Sequence, residues 1–294
     1  MPTPLIVNPA SGRRRGELIA TAATRRLTRA GHDVVRIHSE DGAQARDLLT
    51  QDVAAGGVDT VVVVGGDGLL HDILPVLLEH DLVVAILPAG TGNDTARSLG
   101  LPVGDTEAAL DVVVAGRTRT IDLALTDAGP VATVVASGFD SKVNERANAM
   151  RRPRGNLRYN LAMIAELRSF SPVPFSLTLD GRTIEREAMM VAVGNGPSFG
   201  GGLRIAHGAD LADGLLDVCI VNPVSKATLV RTFPKLYRGA HTQMPQFERH
   251  LVREVRLDAP DIVAYGDGER LGPLPMTTRV APGALRVLVP TRTP

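Results

Sequence analysis

Val61-Val62-Val63-Val64 runs straight into Gly65-Gly66-Asp67-Gly68. Four β-branched residues in a row read as a short strand buried on both faces. Glycines directly behind a strand let the backbone turn sharply and bring its amides against a phosphate. An aspartate in that turn can orient a hydroxyl or bear on a magnesium ion. Leu69 to Leu78 then repeats apolar residues at helical spacing, so the turn opens a helix, and a helix N-terminus attracts anions. The bland alternative is a glycine-rich turn with no ligand.

A second unit has the same form. Leu82 to Leu87 reads as a buried strand, Pro88-Ala89-Gly90-Thr91-Gly92-Asn93-Asp94 as its turn, and Thr95 to Leu99 as a short helix closed by Gly100 and Pro102. Taken singly, Thr91, Asn93 or Asp94 reads as a helix cap. Two such units in succession place both turns at the carboxyl ends of parallel strands, where ligands bind. A third candidate is acidic, Tyr265-Gly266-Asp267-Gly268-Glu269. Its bland reading is a hairpin turn with solvated acids. Its chemical reading is a carboxylate that accepts a hydroxyl proton and positions the oxygen for in-line attack on a phosphoryl group.

The elements that must position these residues follow from periodicity. Strands are expected at 4–8 and 33–38, with helices at 13–30, 43–55 and near 105–115. This β-α alternation marks a doubly wound parallel sheet. Pro75 predicts a kink or an early stop in the helix after Gly68. From about Arg119 strands dominate, at 119–126, 131–137, 174–179, 182–193, 215–221, 250–257, 262–265 and 284–289. Asp180-Gly181 signals a hairpin. The second half therefore reads as an antiparallel β sandwich, interrupted by helical insertions at 140–169 and 225–238.

Three arginines, Arg13 to Arg15, crowd the start of the first helix. They oppose its dipole by about 0.3 kcal/mol each unless an anion lies near. Arg146 to Arg158 carries five arginines, and the helix behind them spaces Leu161, Ile164 and Leu167 along one side. That is either a packed helix with a solvated face or a basic lip for anionic headgroups.

Length and composition bound the rest. The 294 residues suit two domains or one large one. Apolar residues make up 44% but aromatics only 3%, so the cores must be aliphatic. Basic and acidic residues balance at 32 each, which argues against a broad nucleic-acid surface. The single cysteine, Cys219, sits in an apolar strand and allows no internal disulfide, in keeping with a reducing cytoplasm. No signal-peptide pattern or membrane-spanning run is found. Oligomeric state is not fixed, and a homodimer is allowed.

The pair GGDG at 65–68 and PAGTGND at 88–94 resembles the two nucleotide-binding motifs of the diacylglycerol kinase and sphingosine kinase family of lipid kinases. NAD kinases share the first motif but not the second. Asn8-Pro9-Ala10-Ser11-Gly12 is similar to the family's opening loop, and Asp267-Gly268-Glu269 to its acidic catalytic motif. Asn195, Gly200-Gly201-Gly202 and Asp213-Gly214-Leu215-Leu216-Asp217-Val218 fall between them in the family's order.

The resemblance implies an ATP- and magnesium-dependent kinase acting on a hydroxyl of diacylglycerol or a related long-chain lipid. It implies a cytoplasmic enzyme that visits the inner membrane surface. ATP contacts are implied for Asn8, Ser11, Gly12, His38, Gly65, Gly66, Asp67, Gly68, Leu69, Leu70, His71, Gly90, Thr91 and Asn93. Asp267 or Glu269 is the implied base, with Asp67 an electrostatic or magnesium partner. Asp210, Asp213 and the Leu215 carbonyl are an implied magnesium site. Residues 1–119 would form the nucleotide domain, completed by a C-terminal strand near 284–294, and 120–283 the lipid-substrate domain. Leu69 follows GGDG where bacterial diacylglycerol kinases usually carry Thr, and Asp72 stands where the sphingosine kinase branch has Glu. Loss of a charge-assisted bond at 69 costs about 1.5–3 kcal/mol of ATP binding. Two other readings stay open, a soluble-acceptor kinase such as an NAD kinase and a non-catalytic lipid- or nucleotide-binding module.

Overall fold

The computed structural model describes residues 2–8, 15–150 and 156–291. Ser11, Gly12, Arg13, Arg14, Arg151, Arg152 and Arg154 lie outside the described residues, as do the side chains of Arg158 and Leu167.

The first half is built on four parallel strands, β1 (Pro2–Val7), β2 (Asp33–His38), β3 (Thr60–Gly65) and β4 (Val83–Pro88), in the order β2-β1-β3-β4. Their side chains alternate between two cores. Ile6, Val61, Val63 and Val84 meet α2 (Gly42–Ala54) and α3 (Asp67–Glu79) through Leu49, Leu70, Ile73 and Leu74. Leu5, Val7, Val62 and Val64 meet α1 (Arg15–Arg29) and α5 (Thr106–Ala115) through Ala20, Ala23, Leu27 and Leu110. A strand with helices on both faces has no solvent side, which is why it reads as a continuous apolar run. Pro75 does not stop α3, which continues to Glu79. Pro75 is exposed, so it costs the helix one hydrogen bond without disturbing the core.

The second half begins with β5 (Thr118–Thr126), β6 (Gly129–Val131) and β7 (Val134–Gly138). Two helices follow, α6 (Phe139–Ala149) and α7 (Asn156–Ser169). The sandwich is completed by β8 (Val173–Leu179), β9 (Arg182–Ala188), β10 (Met190–Gly194), β11 (Leu216–Val221), β12 (Phe247–Val252), β13 (Glu254–Asp258), β14 (Val263–Gly266), β15 (Glu269–Pro273) and β16 (Met276–Leu288). Helix α8 (Lys226–Leu236) lies between β11 and β12. One antiparallel sheet has the order β12-β11-β10-β7-β14-β15, while β13, β8 and β9 extend the larger sheet beyond β16. Val191, Val193, Val218 and Ile220 of the first pack on Phe175, Leu177, Val255 and Leu257 of the second.

Three sequence expectations need correction. Residues 182–193 and 250–257 are not single strands. Each breaks, at Met189 and at Arg253, where the chain passes from one sheet to the other. Hydrophobic alternation carries no mark of that crossing, because both sheets bury a face in the same core. The last strand is longer than expected and serves both halves. It pairs antiparallel with β13 through Glu254 to Leu257, and parallel with β4 through Arg286 and Val287. Its register against β5 shifts between Ala281 and Leu285, where the Gly283 amide donates to the Asp122 carboxylate at 2.7 Å.

Candidate active site

The two glycine turns touch. A Cβ on Gly90 would stand 2.6 Å from the Gly66 Cα, and one on Gly66 would stand 3.0 Å from the Gly90 Cα. These glycines are therefore needed first so that the turns after β3 and β4 can lie backbone against backbone. Asn93, in the left-handed region at φ 55°, closes the second turn: Oδ1 accepts from the Gly90 amide at 3.0 Å and Nδ2 donates to the Gly90 carbonyl at 2.9 Å. Replacing Gly90 by Ala is expected to force the turns apart, costing about 1–3 kcal/mol. Thermal melting and ATP titration should both register the loss, and an unchanged ATP affinity would show that the contact does not shape a nucleotide site.

Asp67 starts α3, but its carboxylate serves the neighbouring turn. It accepts from the amides of Asp94 and Thr95, each at 2.9 Å, and so caps the short helix α4 (Asp94–Ser98). Burial raises its pKa, opposed by those two amides. Asp94 in turn reaches the second half of the chain. Its buried carboxylate accepts from the Gly201 amide at 2.7 Å, the Gly202 amide at 2.8 Å and the Ser198 hydroxyl at 3.1 Å. The glycine run at 200–202 is thus pinned against the nucleotide-type turn. The sequence reading missed this clamp, since nothing local connects residue 94 with residues about a hundred positions away.

Leu69 and Leu70 are core residues, packed with Ile73 and Leu74. Leu69 fills the space over Gly65, where a Cβ would stand 2.7 Å from Cδ2. Their side chains are buried in the core, which leaves only their backbone amides for a phosphate contact. Asn8 follows the end of β1, His38 is exposed at the end of β2, and Thr91 is exposed on the second turn. Asp72, the shortened carboxylate, sits where a Cβ on Gly42 would be, 1.5 Å from Oδ2. It therefore lies against the N-terminus of α2, a favourable place for a negative charge.

The acidic motif forms the β14–β15 hairpin, with Asp267 at φ 53° and Gly268 at φ 90° as its two turn residues. Both lie in the left-handed region that an Asp-Gly pair supplies. This geometry separates the two acids. Asp267 points inward, with its side chain 1% exposed. It accepts from the amides of Ala132 and Thr133 at 2.8 Å and the Thr133 hydroxyl at 2.6 Å, and it pairs with His71 Nδ1 at 3.2 Å. Glu269 meets the first turn of α3 instead. Its Oε1 stands 2.8 Å from where a Cβ on Gly68 would be, against the first turn of α3. No hydrogen bond to its carboxylate is found among the described residues. Although the residue as a whole is exposed, partial burial of the carboxyl raises its pKa, helped by Asp72 and Asp267 and opposed by His71. Burial pulls the His71 pKa down, but Asp267, Asp72 and Glu269 outweigh it and hold the imidazole above its ordinary value.

The implied magnesium turn is arranged differently. Asp210 Oδ1 accepts from Arg119 Nη2 at 3.0 Å and from the Ala212 amide at 3.1 Å, and Asp213 Oδ1 accepts from the Leu215 amide at 3.0 Å. Among the described residues no group of three or more His, Cys, Asp and Glu side chains is gathered to hold a metal. The Arg119 guanidinium is thus already paired with Asp210.

A large apolar cavity opens in the second half, between α6, α7, α8 and the six-stranded sheet. Phe139, Met163, Met190, Leu203, Ile205 and Phe247 line it. Among the described residues no helix is long and apolar enough to cross a membrane.

A βα nucleotide-type sheet with two touching glycine turns is thus joined to an antiparallel sandwich that carries an acidic hairpin. Residues 2–126 match the diacylglycerol kinase catalytic domain family, and residues 133–289 match the YegS C-terminal NAD kinase beta sandwich-like domain. A diacylglycerol kinase of Mycobacterium tuberculosis is 43% identical over 97% of this chain and 94% of its own length. A "Probable lipid kinase YegS-like" protein of Pseudomonas aeruginosa is 30% identical over 96% and 93%. The crystal structure of a diacylglycerol kinase from Bacillus anthracis superposes with a TM-score of 0.75, at 21% identity, over 99% of this chain and 98% of that one. This chain belongs to the diacylglycerol kinase family of lipid kinases.

Proposed function

We propose that the protein transfers the γ-phosphate of magnesium-bound ATP to a hydroxyl of diacylglycerol or a related long-chain lipid, with Glu269 as the general base. The observation that carries this reading is the position of Glu269. Its carboxylate is free of protein hydrogen bonds among the described residues and lies against the first turn of α3, beside the paired turns at Gly66 and Gly90. ATP phosphates would rest on those turns, where backbone amides and the N-terminus of α3 meet negative charge. Magnesium would arrive with the nucleotide as part of the substrate.

In the transfer step the lipid oxygen gives its proton to Glu269 and bonds to the γ-phosphorus as the bond from phosphorus to the β-bridging oxygen breaks, releasing ADP. Asp267 is a positioning residue that fixes the hairpin and orients His71. The lipid tails would enter the apolar cavity. The enzyme would work in the cytoplasm, touching the inner membrane surface to collect its substrate.

A raised carboxyl pKa sets the expected pH dependence. The base must be ionised, so kcat/KM falls as pH drops through the Glu269 pKa, and that limb lies above the ordinary carboxylate range. His71 lowers the Glu269 pKa, so His71→Asn is expected to move the limb to higher pH. A pH–rate profile that shows no such limb would contradict the assignment.

The acceptor is tested by offering diacylglycerol, monoacylglycerol, sphingosine, ceramide and NAD to the purified protein with labelled ATP. Phosphate on a lipid and not on NAD is the expected result. Turnover of NAD at a comparable rate would overturn it.

A further inference from the structure

Two polar groups stand out in the apolar cavity. His241 is 5% exposed and lines it. Its Nε2 lies 3.0 Å from the Ile205 carbonyl oxygen. A carbonyl only accepts, so Nε2 carries the proton and Nδ1 is left as an acceptor. That Nδ1 is buried and has no hydrogen-bond partner among the described residues. The ring is also held edge-on to Phe247, with centroids 4.8 Å apart. Burial lowers the His241 pKa, which keeps the ring neutral and Nδ1 an acceptor.

Asp140, in the first turn of α6, stands on the same cavity wall. Asn144 Nδ2 donates to its Oδ2 at 3.1 Å. Burial pushes the carboxyl up to about 6. Of the cations on α6, Lys142 donates to the Asp261 carbonyl and Arg146 to the Glu166 carboxylate. Both groups therefore offer acceptors into a space whose described wall is mostly methionine, phenylalanine, leucine, isoleucine and valine, with Thr232 and Gln246 its other polar members. An unmet buried acceptor costs about 1–3 kcal/mol, and ester carbonyls, themselves acceptors, cannot meet it.

We propose that the cavity selects a lipid carrying a hydroxyl on the portion that enters it, with His241 Nδ1 and Asp140 as the acceptors that read it. This rests on the lipid-kinase reading and narrows its substrate class. The hydroxyl could be supplied by a hydroxylated acyl chain or by a second free hydroxyl of a monoacylglycerol backbone.

The test compares three acceptors in the same micelles: a diacylglycerol with saturated chains, its analogue with one mid-chain hydroxyl, and the monoacylglycerol. The wild-type protein is expected to favour one hydroxylated lipid by about tenfold or more in kcat/KM, and which of the two it favours locates the hydroxyl. That ratio should collapse toward one in His241→Phe and in Asp140→Leu, whatever the absolute rates. The Asp140→Leu change keeps the side-chain branching without an acceptor and serves if the histidine variant fails to fold. Equal use of all three lipids by the wild type, or a preference that survives both substitutions, would overturn the proposal. Lipid-induced rise in melting temperature is measured alongside. A rise larger for the hydroxylated lipid without phosphorylation would sink the kinase reading while sustaining this one. Phosphorylation with no hydroxyl preference would do the reverse.

Discussion

Glu269→Gln is expected to lower the rate of lipid phosphorylation by about 100- to 10,000-fold, the span that a positioned general base contributes, while ATP binding persists. Glutamine keeps the length and shape of the side chain but cannot take a proton. The same substitution should leave the fold intact. The Glu269 carboxyl is held above its ordinary pKa, with burial the largest cause, so its charged form is disfavoured in the folded state. A carboxyl with a raised folded-state pKa weakens stability at pH values above its unfolded pKa. Removing that charge is therefore expected to leave the melting temperature unchanged or raise it slightly. Steady-state kinetics and a thermal melt on one preparation check both halves. A melting temperature that drops steeply together with the rate would mean that Glu269 is structural.

Asp267→Ala should show the opposite balance. Its carboxylate gathers two backbone amides, the Thr133 hydroxyl and His71 at one buried point between the β14–β15 hairpin and the start of β7. Alanine would strand those donors, and it would occupy φ 53° without the local tolerance of Asp or Asn. The expected loss is about 3–5 kcal/mol of stability, read by denaturant unfolding. Asp267→Asn should recover part of it, because asparagine accepts through one oxygen and suits the left-handed turn. Activity should follow stability in this series. An Asp267→Ala variant as stable as the wild type but inactive would transfer the role of base to Asp267.

The paired behaviour of these two acids was not legible in the chain. Residues 265–269 spell a hairpin with two carboxylates, and alternation along a strand cannot say which one turns toward Ala132 and Thr133, some 135 positions earlier. The βα units were legible because their signals are local: a β-branched run, glycines, then helical spacing. The sandwich was legible in class but not in its seams, since Met189 and Arg253 change sheets inside one apolar pattern. Asp67 and Asp94 show the same limit. Each stands in a motif that suggests a phosphate or metal role, yet Asp67 binds the backbone amides of the neighbouring turn and Asp94 those of the glycine run in the second half. Asp122, which accepts from the Gly214 and Gly283 amides, and Asn195, which donates to the carbonyls of Asp122 and Ala132, draw distant turns together by contacts that no spacing reveals.

The most direct measurement is transfer of labelled γ-phosphate from ATP to diacylglycerol in mixed micelles, run side by side for the wild-type protein and Glu269→Gln at matched ATP occupancy. Phosphorylated lipid from the wild type, with at least a hundredfold less from the variant, is the predicted result. Equal product from both, or none from a wild-type protein that binds ATP normally, would contradict the account.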